Sequence, residues 1–326
     1  MATPVAQPGV ATAVPSRATF LRATAVMAAL LAIAPFLGVY PVFVMKALCY
    51  AIFACAFNLL LGFTGLLSFG HAAYLGAAAY ATGWLVRSAH LPPELGVLVG
   101  TAVAAFCGLV IGSIAIRRQG IYFAMITLAM AQMLYFVFLQ APFTGGEDGL
   151  QGVPRGKLFG VIPLESDTVL YYVVLAVFVA AFLFIIRIVH SPYGQVLKAI
   201  RENEPRAVSL GYDVDRYKLL AFVLSTAIAG LAGSLKTLVL GFATLNDAHW
   251  SLSGEVVLMT LLGGMGTFAG PVIGAFTIIG LQDFLADQVG SWINVIIGVI
   301  FVVCVVAFRK GFVGELLAWL QRRQGH

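Results

Sequence analysis

Val169-Leu-Tyr-Tyr-Val-Val-Leu-Ala-Val-Phe-Val-Ala-Ala-Phe-Leu-Phe-Ile-Ile-Arg-Ile-Val189 carries a single charge, Arg187, close to its end. A bilayer crossing needs about 20 mostly apolar residues in helical form, so this stretch by itself places the chain in a membrane. Runs of the same kind recur at 23–40, 42–62, 70–87, 95–116, 119–140, 219–241, 251–264, 270–285 and 290–308. Those at 70–87, 251–264 and 270–285 are short, rich in Gly and Ala, or both, and read equally as half-helices or re-entrant elements. The expected fold is all-α: a polytopic integral membrane helical bundle of about eight to ten crossings, because only helices satisfy their own backbone in lipid at these run lengths.

Composition agrees. Of 326 residues 61% are apolar and 10% charged, with a mean hydropathy of +0.98, whereas a soluble domain carries roughly a quarter charged residues. The net charge of +5 reads as loop bias and contact with anionic lipid rather than nucleic-acid binding, since no basic patch is interleaved with exposed aromatics. Cys49, Cys55, Cys107 and Cys304 all lie inside apolar runs without CxxC or Cys/His spacing. They read as small hydrophobes rather than metal ligands or disulfides. Met1 to Ser16 contains Pro4, Pro8 and Pro15, which work against a helix. It also lacks the basic-then-apolar order of a cleaved signal peptide. The expected organisation is a flexible cytoplasmic tail at 1–20, a transmembrane domain at 21–310 and a cytoplasmic tail at 311–326.

Charge sets the orientation. With both termini inside and ten crossings, fourteen of nineteen Lys/Arg lie in or beside the inside regions: Arg17, Arg22, Arg117, Arg118, Arg187, Lys198, Arg201, Arg206, Arg216, Lys218, Arg309, Lys310, Arg322 and Arg323. The outside loop 141–168 carries Glu147, Asp148, Glu165 and Asp167 against Arg155 and Lys157, and Trp84, Trp250 and Trp292 fall near the outer interface. This is the positive-inside pattern with aromatic residues at a membrane boundary. Lys46 reads as an outer-boundary residue. Lys236 lies deep enough to require snorkelling or a polar cavity.

Two glycine clusters interrupt the apolar runs: Gly62-Phe-Thr-Gly-Leu-Leu-Ser-Phe-Gly-His71 and Gly263-Gly-Met-Gly-Thr-Phe-Ala-Gly-Pro271. Backbone freed by such breaks cannot face lipid. Either it lines a path, as paired broken segments do in transporters, or the glycines allow tight turns and close packing. Candidates for a translocation path are Asn58, Ser68, His71, Thr127, Gln132, Glu255, Gly263, Gly264 and Gly266. His71 also reads as an ordinary satisfied hydrogen-bonder at a helix start. Gly76-Ala-Ala-Ala-Tyr80 and Gly230-Leu-Ala-Gly233 supply small faces for helix contact.

The loop His190–Lys218 is the longest inside stretch. Ser191-Pro192 starts a short amphipathic helix with Val196, Leu197 and Ile200 on one side. A second helix, from about Glu204 to Leu210, brings Ala207 and Leu210 together and stops at Gly211. Such a pair suits either docking into a partner's groove or lying on the membrane surface.

Here the chain resembles a family. Ala207-x-x-x-Gly211 is similar to the coupling segment of ABC-importer permeases, with Pro205 and Arg206 in place of Glu and Ala, and Glu204 one position earlier. Gly62-Phe-Thr-Gly-Leu-Leu-Ser-Phe-Gly-His-Ala-Ala73, Gly120-Ile-Tyr-Phe-Ala-Met-Ile-Thr-Leu-Ala129, Thr144-Gly-Gly-Glu-Asp-Gly-Leu150, Arg216-Tyr-Lys-Leu-Leu-Ala-Phe222 and Leu262-Gly-Gly-Met-Gly-Thr-Phe-Ala-Gly-Pro271 look like the branched-chain amino acid permease family, in its LivM-like branch. Gln132 stands where the family often has an acid, and no proline lies near Phe308-Arg309-Lys310-Gly311.

The resemblance implies a multi-pass subunit of a bacterial inner-membrane importer. Its expected partners are two ATP-binding subunits, a homologous second permease and a periplasmic binding protein. It implies contacts to the ATPase at Gly194, Lys198, Arg201, Glu204, Ala207 and Gly211. The chain itself is expected to be no enzyme and to hold no cofactor or metal: Gly156-Lys157 is followed by Leu158 without phosphate-loop spacing. The alternative is an ion-coupled secondary transporter, which would need buried ionisable groups; His71, Lys236 and Glu255 are the candidates, and no pair is evident in the sequence.

Overall fold

A computed structural model describes residues 17–33, 35, 38, 40–289, 295, 296, 298, 299 and 302. The tail at 1–16, most of the run at 290–308 and the tail at 311–326 lie outside them. The helices are α1 (Arg17–Ile33), α2 (Pro41–Thr64), α3 (His71–Arg87), α4 (Pro93–Ala115), α5 (Ile121–Gln140), α6 (Asp167–Val189), α7 (Pro192–Glu202), α8 (Glu204–Ser209), α9 (Val214–Leu240), α10 (Trp250–Gly263) and α11 (Gly270–Val289). Every apolar run within the described residues has become a helix, so the chain is an all-α polytopic bundle. By length and composition α2, α4, α5, α6 and α9 can each cross a membrane. At 1.5 Å per residue, the 14-residue α10 reaches only about 21 Å, short of the roughly 30 Å hydrocarbon core.

The centre is α2. It is apolar all round, and nearly every residue from Val44 to Thr64 is buried, as expected of a helix enclosed by others. Against it pack α6, α9, α10 and α11. By contrast α4 is one-sided: Gly96, Gly100, Ala104, Gly108, Gly112 and Ala115 are buried, while Leu98 and Phe106 are exposed. The small residues let α9 approach closely; a side-chain carbon on Gly108 would lie 2.0 Å from Thr226 Oγ1. The exposed flank is apolar along a helix long enough to cross a membrane, which suits it to face lipid.

Helix directions follow from paired contacts. Thr237 Oγ1 on α9 reaches the Ala79 carbonyl (3.4 Å), and Thr82 on α3 donates to Ser234 (2.8 Å). Lower down His71 meets Ser225, so α3 and α9 run parallel. Ser225 donates to the Ala56 carbonyl 2.5 Å away, in the middle of α2, which runs the other way. Both α2 and α9 end on a left-handed glycine: Gly65 (φ 80°) and Gly241 (φ 77°). Only a residue without Cβ takes that conformation readily.

After each cap the chain turns back into the bundle. Residues 65–70 lead back to α3, and residues 242–249 lead back to α10. The two restarted helices meet, with Ala72 N–H donating to Ser253 Oγ at 2.9 Å. Because α2 and α9 are antiparallel, these two units (long helix, re-entrant segment, shorter helix) are inverted relative to one another, an arrangement typical of transporters. The sequence repeats across them: Leu61-Gly-Phe63 precedes His71-x4-Gly76, and Leu240-Gly-Phe242 precedes His249-x4-Gly254.

Of the two readings of the glycine clusters, paired path segments or tight turns with close packing, the cluster at 264–269 takes the second. The structural counterpart of 65–70 is 242–249, which reads in sequence as a surface loop because of Thr244, Asn246, Asp247 and His249. The second cluster, 264–269, is instead the turn of an antiparallel hairpin between α10 and α11. There a Cβ on Gly263 would lie 1.8 Å from the Gly270 carbonyl, and one on Gly274 1.8 Å from that of Met259.

The four internal stretches that the charge count puts on one side, 63–69, 117–118, 190–218 and 265–269, converge at one end of the bundle. Arg201 of α7 donates to the Gly62 carbonyl and lies beside Gly266, and Glu204 accepts from Gln119 at 2.7 Å. The other end carries the 141–168 segment, which contains a small hairpin of β1 (Lys157–Leu158) and β2 (Ile162–Pro163). Leu150 and Ala243 exchange backbone hydrogen bonds of 2.8 and 2.9 Å, tying that segment to the second re-entrant stretch.

Candidate functional site

Where the shorter helices meet, the polar candidates are sealed inside protein. His71 is fully buried, its Nε2 2.8 Å from Ser225 Oγ. The serine has one proton, and it goes to the Ala56 carbonyl. Nε2 must therefore carry the ring proton and donate, which leaves Nδ1 a bare acceptor; no described residue pairs with that atom. Phe57, Tyr74 and Phe222 meet the imidazole edge-on at 5.3–5.9 Å. Ser68, also fully buried, accepts from Gly70 N–H (3.3 Å). Thr127 donates to Ala124 (2.9 Å), and its carbonyl presses on Gly70. Gln132 is half-buried on α5, with no hydrogen bond to a described residue.

Toward the end bearing β1 and β2 the polar groups are charged. Glu255 accepts from Gln282 (3.1 Å), and Lys46 pairs with Asp283 at 2.9 Å. Lys236, which the sequence leaves without an explanation, is bonded to Asp247, and both side chains are buried. Asp247 also accepts from Thr244 N–H (3.1 Å) in a capping box. The pair therefore pins the second re-entrant segment to α9. It also supplies the buried ionisable pair that is not evident in the sequence. Asp247 escaped notice because eleven residues and a chain reversal separate it from its partner.

At the opposite end Asn58 uses both ends of its amide. Nδ2 donates to the Thr267 carbonyl (2.8 Å) and Oδ1 accepts from Gly266 N–H (2.9 Å). Asn58 and Gly266, expected as path lining, are here one clasp between α2 and the α10–α11 turn; Gly263 and Gly264 shape that turn. Gly62 lies against the clasp, where a Cβ would fall 2.1 Å from Asn58 Oδ1. Arg201 completes it from the loop: its guanidinium donates to the Gly62 carbonyl, and its stem lies over Gly65. Phe268 stacks on His190 (5.4 Å) and meets Phe63 at a tilt (5.3 Å).

The loop itself folds as its caps dictate. Ser191, Asn203 and Asp213 side chains accept from Gly194, Arg206 and Arg216 N–H at the starts of α7, α8 and α9. Leu197 and Ile200 are buried and α7 packs on α2, α6 and α9. The apolar stripe expected to dock a partner or lie on lipid is therefore spent inside this chain. Gly194 is wedged under the Val189 carbonyl, Ala207 is buried, and Glu204 pairs with Lys218 at 2.7 Å. Tyr193 donates to the Tyr217 carbonyl (2.9 Å), and burial holds its phenol above the usual range, so it stays protonated. Lys198 is half-buried and Gly211 exposed, with φ 87°. Leu210 does not join Ala207 but is 67% exposed, alongside Val208 and Tyr212. This outward apolar trio was invisible to helical spacing, because α8 is too short to show a period.

The chain matches, over residues 41–305, the family described as branched-chain amino acid transport system / permease component. Among similar proteins, the high-affinity branched-chain amino acid permease LivM of Escherichia coli K12 is 27% identical over 73% of this chain and 61% of its own length. LivH of the same organism is 25% identical over 73% of this chain and 82% of its own. The autoinducer 2 import permease LsrC of Klebsiella pneumoniae is 26% identical over 60% of this chain and 56% of its own. The chain thus spans under two thirds of the length of the LivM relative. No solved structure matches. With the match covering both inverted units and the loop between them, this chain belongs to the branched-chain amino acid transport system permease family.

Proposed function

We propose that this chain is a permease subunit of an ATP-driven ABC importer, carrying branched-chain amino acids or related small polar solutes across a bacterial inner membrane by alternating access. The observation that carries the proposal is the clasp at Arg201, Asn58, Gly62 and Gly266, in a chain of this family. A loop that binds a motor must be connected to what it moves, and Arg201 joins α7 to both glycine-rich turns. In this reading the loop end is cytoplasmic, with both termini on that side, and 21–310 is the permease domain.

Two ATP-binding subunits act on the loop 190–218, and the exposed Val208, Leu210 and Tyr212 beside Gly211 form the apolar part of that contact. A second permease completes the path, and a periplasmic binding protein delivers solute to the opposite face. Closure of the ATPase dimer shifts α7 and α8. Arg201 passes the shift to the ends of α2 and the α10–α11 hairpin, opening the seam that now hides Ser68, His71 and Thr127. ATP is bound and hydrolysed on the partner chains, and this chain supplies the coupling.

The test is uptake of labelled leucine into vesicles holding this chain with its binding protein, sister permease and ATPases. Uptake should require ATP hydrolysis, and Gly211→Pro should separate hydrolysis from uptake while insertion continues. Uptake that survives without the ATPases and collapses with the proton gradient would instead identify an ion-coupled carrier, for which the Lys236–Asp247 pair would be the natural charge relay.

A further inference from the structure

The hairpin of β1 and β2 is a feature the transport reading leaves unused. Lys157 pairs with Pro163 and Leu158 with Ile162. The tip between them is exposed only in its side chains, its backbone being held to the first turn of α4 through Phe159 N–H. Phe159 is 73% exposed, Val161 79% and Ile162 43%. Three large apolar side chains held together on the surface are uncommon unless something covers them.

The tip is built rather than slack. Phe159 has φ 50°, a conformation bulky residues rarely adopt. Its N–H donates to Glu94 Oε1 at 3.2 Å, and Leu164 N–H closes the hairpin base on the Gly156 carbonyl at 3.1 Å. Position follows from that first bond. Glu94 lies in the first turn of α4, and Leu98, one turn further along the same side, is 65% exposed. Phe106 and Leu109 continue that exposed apolar flank. The tip therefore overhangs the flank that α4 turns to lipid, at the level where the helix begins, and its exposed neighbour Lys157 suits the phosphate layer there.

We propose that Phe159, Val161 and Ile162 seat in the headgroup–acyl boundary of the adjoining leaflet, as an interfacial anchor that fixes the 141–168 segment relative to α4. Apolar and aromatic side chains flanked by a basic residue are the composition that partitions to this boundary. The occupant is lipid, because the apolar surface is continuous with a lipid-facing helix flank.

The experiment uses the full chain in nanodiscs of phosphatidylethanolamine and phosphatidylglycerol. Val161→Cys, with Cys49, Cys55, Cys107 and Cys304 changed to Ala, is labelled with a nitroxide, and its collisions with oxygen and with a water-soluble nickel chelate are compared. Oxygen collisions should dominate. Domination by the nickel chelate would put the tip in water, and protection from both would put it under protein; either result overturns the anchor. Should the cysteine-free background fail to fold, Phe159→Trp in the otherwise native chain gives a second reading. Its fluorescence, taken as the difference from the parent, should be lost most with lipids brominated near the headgroup, and no loss would overturn the proposal.

Discussion

The two re-entrant segments are the same device built with different chemistry. Each follows a long helix capped by a left-handed glycine, and each leads into a shorter helix, α3 starting at buried His71 and α10 at exposed Trp250. Yet 65–70 is held by neutral groups (Ser68, and the His71–Ser225–Ala56 chain), whereas 242–249 is held by the buried Lys236–Asp247 pair. Neutral contacts can exchange partners at little electrostatic penalty. A buried ion pair cannot, because separating it strands two charges in a poorly solvated place. The difference teaches which segment is suited to move: the neutral one joins the clasp next to the loop, and the charged one is the fixed end of the repeat.

The largest test strikes the charged segment. Lys236→Met should destabilise the chain by about 3–5 kcal/mol, because Asp247 is left buried without its cation. Adding Asp247→Asn should recover most of the loss while keeping an acceptor for Thr244. Thermal unfolding in detergent, followed by a thiol-reactive dye entering at buried Cys49 and Cys55, reads both variants. Equal loss in the single and double variants would mean that the pair is not what holds the segment.

Next comes the clasp. Asn58→Ala should remove about 2–3 kcal/mol, since it leaves the Gly266 N–H and Thr267 carbonyl without their partner. Ser225→Ala, beside the neutral segment, should take about 1–2 kcal/mol by orphaning the His71 Nε2–H. A Ser225→Ala loss as large as that of Lys236→Met would erase the contrast between the two segments.

The smallest stability effects are the most informative about function. Gly65→Ala and Gly241→Ala should each cost about 1 kcal/mol from the left-handed backbone alone, and similar values would confirm that the two caps are equivalent. Arg201→Met should stay within about 1 kcal/mol, as for an exposed side chain, yet uptake should fall while ATP hydrolysis by the assembled transporter continues. If hydrolysis and uptake fell together in proportion, Arg201 would belong to the ATPase contact and not to the link behind it.

Much of this was legible in the chain. The apolar runs matched helices because lipid admits no other local solution, and Ser191-Pro192 and Gly211 bounded the loop helices because caps are local chemistry. The counterpart of 65–70 was missed because 242–249 is polar. Polarity tells a reader that a segment needs partners, not whether water or protein supplies them. Leu210 was misplaced for a related reason: in a six-residue helix the choice of buried face belongs to its neighbours.

What the sequence determined by itself was the class of solvent, the rough position of the helices among the described residues, and the gathering of charge on one set of loops. All of these depend on properties summed along the chain. What only the tertiary structure decided was partnership: Lys236 with Asp247, Asn58 with the Gly266 turn, Arg201 with Gly62, and 65–70 with 242–249 as inverted counterparts. Those contacts join residues up to 209 positions apart. They are selected by the close approach that glycine permits and by the need of every buried polar group for a partner, and neither condition can be evaluated until the helices have packed.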